Sequence, residues 1–306
     1  MTTSEPRVAV VPDWPLAADA VVSAGGRVVP VEEAEGLVWV DWSGPGRLGA
    51  LLEASPDIRW VHLPGAGIES FLDAGLVADG RTWTCSKGAH SSLIAEHALA
   101  LGLAGMHSLA SSARASSWEA TRVTALAGQP VTIVGGGGIA SALVRYLEPF
   151  GAHVTVVRRS PEPVPGVQRT LTTDKLHDAL PDARLVILAL ALTPETRHII
   201  AKGELDAMHA RGWLVNVSRG GHVDTDALVD ALERHAIAGA ALDVTDPEPL
   251  PDGHPLWSMG NCLITPHNAG SSGAVMALLA ARVHDNVARL GRGEPLLGMI
   301  DPVAGY

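Results

Sequence analysis

Val131-Thr132-Ile133-Val134-Gly135-Gly136-Gly137-Gly138-Ile139-Ala140 is the stretch that decides the fold. A β-branched apolar run reads as a buried strand, and the glycines after it open a helix expected over Ser141 to Glu148. In this G-x-G-x-x-A arrangement Gly135 makes the tight turn and Gly137 lets backbone approach a pyrophosphate. Gly138 and Ile139 of the same turn are further candidates for holding the cofactor, and Ala140 packs helix on strand. Strand, glycines, helix and second strand follow in that order, which makes the pattern far more specific for dinucleotide binding than a bare glycine match.

Working outward, apolar strands are expected at Val131 to Val134, Val154 to Val157, Leu185 to Leu190, Trp213 to Val217, Ile237 to Leu242 and Cys262 to Thr265. The intervals of roughly 20 to 30 residues suit right-handed crossover helices, so six parallel strands form a doubly wound sheet. Before it, Val8 to Val11, Arg27 to Val29, Gly36 to Val40 and Ile58 to Leu63 alternate with helical stretches and predict a second parallel α/β sheet. Between the blocks, Ala95, Leu99 and Leu103 recur at helical spacing from Ser92 to Leu109. Gly102 and Gly105 in that helix allow close backbone approach, and its Glu96 and His97 are expected to find structural partners rather than a ligand. The boundary is placed near residue 97 by the change of pattern.

Composition narrows the function. With 22 Lys plus Arg against 33 Asp plus Glu, the net charge is −11, which argues against a nucleic-acid partner. Hydrophobic residues make up 47% of the 306-residue chain and charged ones 18%, enough for a large core, while eight Trp against two Phe and two Tyr leave Ala, Val and Leu to fill it. Cys85 and Cys262 lie far apart without metal-ligand spacing, so two buried free thiols and no metal are expected. No apolar run reaches the ~20 residues of a membrane span, and the chain reads as a cytoplasmic protein.

In open parallel sheets, ligands bind beyond the carboxyl ends of the strands. The second strand of the main block ends in Arg158-Arg159-Ser160, where a carboxylate would receive the ribose hydroxyls of NAD; two guanidiniums and a hydroxyl suit a 2′-phosphate, so NADP(H) is the expected cofactor. Later strands end in Ala191-Leu192-Thr193, Val217-Ser218-Arg219, Asp243 through Glu248, and His267-Asn268-Ala269-Gly270. An arginine, a carboxylate and an imidazole therefore share one sheet edge with the cofactor. Trp257 and Trp42 are candidates for a pocket wall, with a core role as the plainer expectation.

These residues resemble a family. Asn216 to Gly221, Gly239 to Val244, Glu248-Pro249-Leu250, His254 to Trp257, Thr265-Pro266-His267, Leu192 to Arg197 and Ala95 to Leu99 look like the D-isomer-specific 2-hydroxyacid dehydrogenases, in particular NADP-type glyoxylate/hydroxypyruvate reductases. The resemblance implies two Rossmann-like domains with the active site in the cleft between them. The substrate domain, flavodoxin-like, would comprise 1–96 with 278–306, and the dinucleotide-binding domain 97–277. A C-terminal helix of about Ala277 to Leu290 would return to the first domain. His267 would be the general acid/base, paired with Glu248, and Arg219 would bind the carboxylate and keto oxygen. Asp243, with the Ala191-to-Thr193 and Val217-to-Arg219 loops, His267 and Gly270, would help hold the cofactor. Gly65, Ala66 and Gly67 would offer backbone N–H groups to the substrate carboxylate, and the assembly would be a homodimer.

Three positions depart from that pattern: Arg158 stands in place of Asp, Ala140 in place of the third glycine, and Ala191 in place of a common proline. The expected activity is NADPH-dependent reduction of a small 2-keto acid. Alternatives are dehydrogenation of another small anion, such as a phosphorylated hydroxyacid, formate or phosphite, and a non-catalytic NADP(H)-sensing corepressor-like binding protein.

Overall fold

The computed structural model describes residues 5–41, 44–118, 120–270 and 273–302; Trp42, one of the candidate pocket residues, lies outside them. The chain divides into two compact units, Met1–His90 with Ser272–Tyr306, and Ser91–Ser271. Both divisions fall six residues before the positions expected from sequence.

The first unit holds β1 (Arg7–Val11), β2 (Arg27–Val28), β3 (Gly36–Trp39), β4 (Trp60–Leu63) and β5 (Thr82–Cys85), in the order β2-β1-β3-β4-β5. All neighbouring pairs are parallel, which is the flavodoxin-like strand order. Strand β5 was not expected: Thr-Trp-Thr-Cys has no apolar run, and its wholly buried Thr84 has its hydroxyl 2.9 Å from both Trp60 Nε1, which donates to it, and His62 Nδ1. Helix Gly273–Arg292 belongs to this unit and sets Ala280, Val283 and Val287 against Ala17, Ala20 and Val21 of helix Pro15–Ser23. It extends beyond the 277-to-290 expectation at both ends.

The second unit contains β6 (Pro130–Val134), β7 (His153–Arg158), β8 (Arg169–Thr172), β9 (Leu185–Leu188), β10 (Trp213–Asn216), β11 (Gly239–Leu242) and β12 (Cys262–Ile264). Their order is β12-β11-β10-β9-β6-β7-β8, with every neighbouring pair parallel. Six of the seven were expected. The seventh, β8, is an edge strand of sequence Arg-Thr-Leu-Thr, exposed or half-buried throughout, so it carries no hydrophobic signature. Both sheet faces are covered. One packs Leu188, Leu214 and Leu242 with Leu228 and Leu205; the other packs Ile133, Ile187 and Val215 with Leu143 and Ala98.

Helix Ser91–Met106 lies close enough to the sheet that a Cβ on Gly105 would stand 2.3 Å from the Trp213 ring, and one on Gly102 3.0 Å from Leu185. Leu185 is fully buried there, and sealing a leucine from water stabilises by about 1.5–3 kcal/mol. Both cysteines are buried free thiols, and burial pushes the Cys262 thiol up to about 12. Among the described residues, no helix is long and apolar enough to cross a membrane.

Candidate active site

At the carboxyl edge of the seven-stranded sheet, the chain leaves β6 toward one side and returns to β9 on the other, the switch point where open sheets leave a ligand crevice. The glycine turn sits there. Gly135 has φ +122° and donates its N–H to Val157 O at 2.7 Å; a Cβ on it would lie 2.0 Å from Ala189 O, so only glycine fits. Gly137 caps helix Gly138–Leu147, and a Cβ built on it would meet nothing within 4 Å. That open space, faced by first-turn N–H groups that have no intrahelical partner, suits a diphosphate. Ala140 is buried, as its packing role requires.

Arg158 ends β7 with its stem across the turn: a Cβ on Gly136 would be 3.0 Å from Arg158 Cδ and Nε. Arg159 is exposed beside it, and the half-buried Ser160 accepts the Glu162 N–H at 3.4 Å. The loop after β9 closes on itself, with Thr193 N–H donating to Thr196 Oγ1 at 2.8 Å and Thr196 Oγ1 donating to Ala191 O at 2.8 Å. Glu195 accepts from the Thr193 hydroxyl at 2.7 Å, and that bond, helped by its own backbone N–H and the Arg159 charge, holds its carboxyl below the usual range.

After β10, buried polar side chains shape the turn that presents Arg219. Asn216 Nδ2 donates to Arg219 O at 2.8 Å, and Asn216 Oδ1 accepts the Ser218 N–H at 3.1 Å. His222, wholly buried, sets Nδ1 3.0 Å from Arg219 O and Nε2 3.2 Å from Ala191 O, tying the loops after β9 and β10 together. Val217 packs into the core, and Leu192 lies against Gly221. The half-buried Arg219 donates from Nη1 to Ser218 O at 2.6 Å. Gly220 passes so near the next loop that a Cβ would be 1.9 Å from Thr245 O, which puts the Arg219 turn in backbone contact with the segment leading to Glu248.

That segment is pinned by Thr225 Oγ1, which donates to Asp246 O at 2.6 Å. Beyond it, Glu248 Oε1 and His267 Nδ1 are 2.7 Å apart, with side chains 42% and 50% exposed. Because Nδ1 faces the carboxylate, Nε2 is the nitrogen left to meet a substrate oxygen. His267 has φ +52°, rare for a residue with a Cβ, and donates its N–H to Asp243 O at 2.8 Å. Asp243, 2% exposed, turns its carboxylate into this loop: Oδ1 accepts the Thr265 hydroxyl at 2.5 Å and the Asn268 N–H at 2.8 Å, and Oδ2 the Ala269 N–H at 3.0 Å. Gly270 follows as the last described residue of this loop.

Residues 97–269 match the family model for the D-isomer specific 2-hydroxyacid dehydrogenase, NAD binding domain. The chain belongs to the D-isomer-specific 2-hydroxyacid dehydrogenase family. These dehydrogenases are oxidoreductases, and the second unit is their NAD-binding domain. A Corynebacterium melassecola protein from the proB 3′ region is 36% identical over 295 residues, covering 94% of this chain and 95% of that protein. Glyoxylate/hydroxypyruvate reductase A of Serratia proteamaculans is 34% identical over 178 residues, 58% of this chain and 56% of the reductase. The crystal structure of a D-isomer specific 2-hydroxyacid dehydrogenase from Xanthobacter autotrophicus Py2, in complex with NADPH and MES, superposes with a TM-score of 0.85 at 28% identity, over 99% of this chain and all of that one.

Glu248 and His267 thus meet directly, and the Arg219 turn touches the segment leading to Glu248 through Gly220. Gly65, Ala66 and Gly67 belong to the other unit, in the loop after β4. Trp257 is 47% exposed and donates from Nε1 to Pro251 O at 3.1 Å. Among the described residues, no three His, Cys, Asp or Glu side chains group to hold a metal ion. Asn216, His222 and Thr265 were not singled out as functional from sequence. Their only signal is to be polar at strand ends where burial follows.

Proposed function

We propose that the chain reduces a small 2-keto acid, glyoxylate- or hydroxypyruvate-like, to the D-2-hydroxy acid with NADPH. The observation that carries the reading is the 2.7 Å pair of His267 Nδ1 and Glu248 Oε1 at the sheet edge that also bears the glycine turn. A half-exposed imidazole with its ring fixed by a carboxylate is equipped to hand a proton from Nε2 to a carbonyl oxygen. Arg219 would meet the planar substrate carboxylate with its planar fork and stabilise charge developing on the keto oxygen. The backbone N–H groups of Gly65, Ala66 and Gly67 would receive the same carboxylate.

The reduced nicotinamide, when bound, supplies the hydride. Gly135, Gly137, Gly138 and Ile139 would cradle its diphosphate, and the loops at Ala191 to Thr193, Val217 to Arg219, Asp243 and Gly270 would flank it. Arg158, lying over Gly136, with Arg159 and Ser160, would hold the 2′-phosphate. The NADPH in the Xanthobacter structure supports that choice, and the Serratia relative's name supports the substrate class. The test is kcat/KM for a panel of 2-keto acids with NADPH and with NADH. The reading expects turnover favouring NADPH, and preference for NADH overturns the cofactor assignment.

A further inference from the structure

Asp243 gathers the loop after β12. Three successive backbone N–H groups, those of His267, Asn268 and Ala269, all end on it, one at its carbonyl and two at its carboxylate. Together they impose the left-handed backbone at His267, a conformation that a residue with a Cβ keeps only where its surroundings dictate it. A carboxylate 2% exposed also needs donors to replace water.

One of those donors comes from far away in sequence. His97, on helix Ser91–Met106, has Nε2 3.2 Å from Asp243 Oδ1 and 3.1 Å from Thr265 Oγ1. The Thr265 hydroxyl has a single proton, and the 2.5 Å bond to Asp243 uses it. Thr265 Oγ1 therefore accepts from His97, so the proton of His97 lies on Nε2 and is shared between the hydroxyl and the carboxylate. The helix is thereby joined through His97, Thr265 and Asp243 to the turn that aims His267 at Glu248.

We infer that His97 is a positioning residue for the reaction, fixing through Thr265 and Asp243 the orientation in which His267 meets Glu248. This rests on the reading of His267 as proton donor. A small misplacement of a reacting group costs up to about a hundredfold in rate. In the 306-residue chain, with NADPH and glyoxylate, His97→Ala is expected to lower kcat by about ten- to a hundredfold while KM and the NADPH Kd stay near wild type. His97→Gln, whose amide still donates, is expected to regain most of the rate.

A structural readout runs alongside. The His267 Nδ1–H bonded to Glu248 is expected to give a downfield proton resonance, identified by its loss in His267→Ala; it should shift or broaden in His97→Ala and return in His97→Gln. Unchanged kcat and resonance in His97→Ala overturn the inference. So does a fall in NADPH affinity parallel to kcat without rescue by glutamine, which would mark a residue that only holds the fold. If His97→Ala does not fold, the near-isosteric Thr265→Val breaks the same chain and must reproduce the kcat loss; wild-type kcat there overturns it equally. Should the wild type reduce no keto acid, the proton-donor reading fails by itself, and the resonance still decides whether His97 sets the His267–Glu248 pair.

Discussion

His62 and His267 belong to the two parallel α/β units, yet their surroundings make them different chemical objects. His62, in β4, is 1% exposed, with Nδ1 2.9 Å from Thr84 Oγ1 and Nε2 3.1 Å from Ser86 Oγ. Its partners are hydroxyls. Burial first, and the nearby Arg282 charge second, push its pKa down to about 3, so it serves as a neutral strut between strands β4 and β5. His267 sits half in water, with a carboxylate on Nδ1. The contrast teaches that the residue type says little: a counter-ion and access to solvent separate a histidine that can pass a proton to substrate from one that holds a sheet together.

The widest gap should appear in rate. Replacing His267 by Ala is expected to lower kcat about 10²- to 10⁴-fold, with NADPH binding retained in a fluorescence titration. A variant with near-normal turnover would erase the distinction from His62. Next comes Arg219→Lys, which swaps a fork for a point charge; kcat should fall by about 10²-fold and KM rise, and unchanged steady-state constants would remove Arg219 from the substrate.

Arg158→Asp sharpens the picture at the cofactor end. The ratio of kcat/KM for NADPH over NADH should drop by about tenfold or more, since a carboxylate repels a 2′-phosphate.

The smallest effect belongs to His62, and it appears in stability rather than rate. The unfolded chain takes up this proton near pH 6.5 and the folded chain only near 3, so the stability tied to a neutral His62 is intact above about 6.5 and drains as pH falls toward 3. Between pH 7 and pH 5 this one group should cost about 2 kcal/mol. In His62→Gln the unfolding free energy, measured by urea titration at the two pH values, should fall less by about that amount. An equal loss in both proteins would mean that His62 accepts a proton in the fold.

Much of this was legible in the sequence because parallel strands buried on both faces announce themselves as apolar runs. The runs at Val131 and Leu185 did so. Strands β5 and β8 did not, since Thr84 hides its polarity behind hydrogen bonds from inside the fold and β8 is a polar edge. In the site, Arg219, Glu248 and His267 stood out because each follows a strand end. The network behind them was invisible for a different reason: His97 and Thr265 are 168 positions apart with no local pattern that pairs them, and only the folded sheet brings them to 3.1 Å. His97 was expected to find a structural partner, and it finds Asp243 and Thr265.

The most direct test of the account is chemical rescue of the His267→Ala variant by added imidazole, in the NADPH-dependent reduction of glyoxylate. If the lost group is the proton donor, kcat should rise with imidazole concentration while the NADPH Kd stays constant. A variant that binds NADPH normally, turns over slowly and ignores imidazole at every concentration would contradict the claim that His267 delivers the proton.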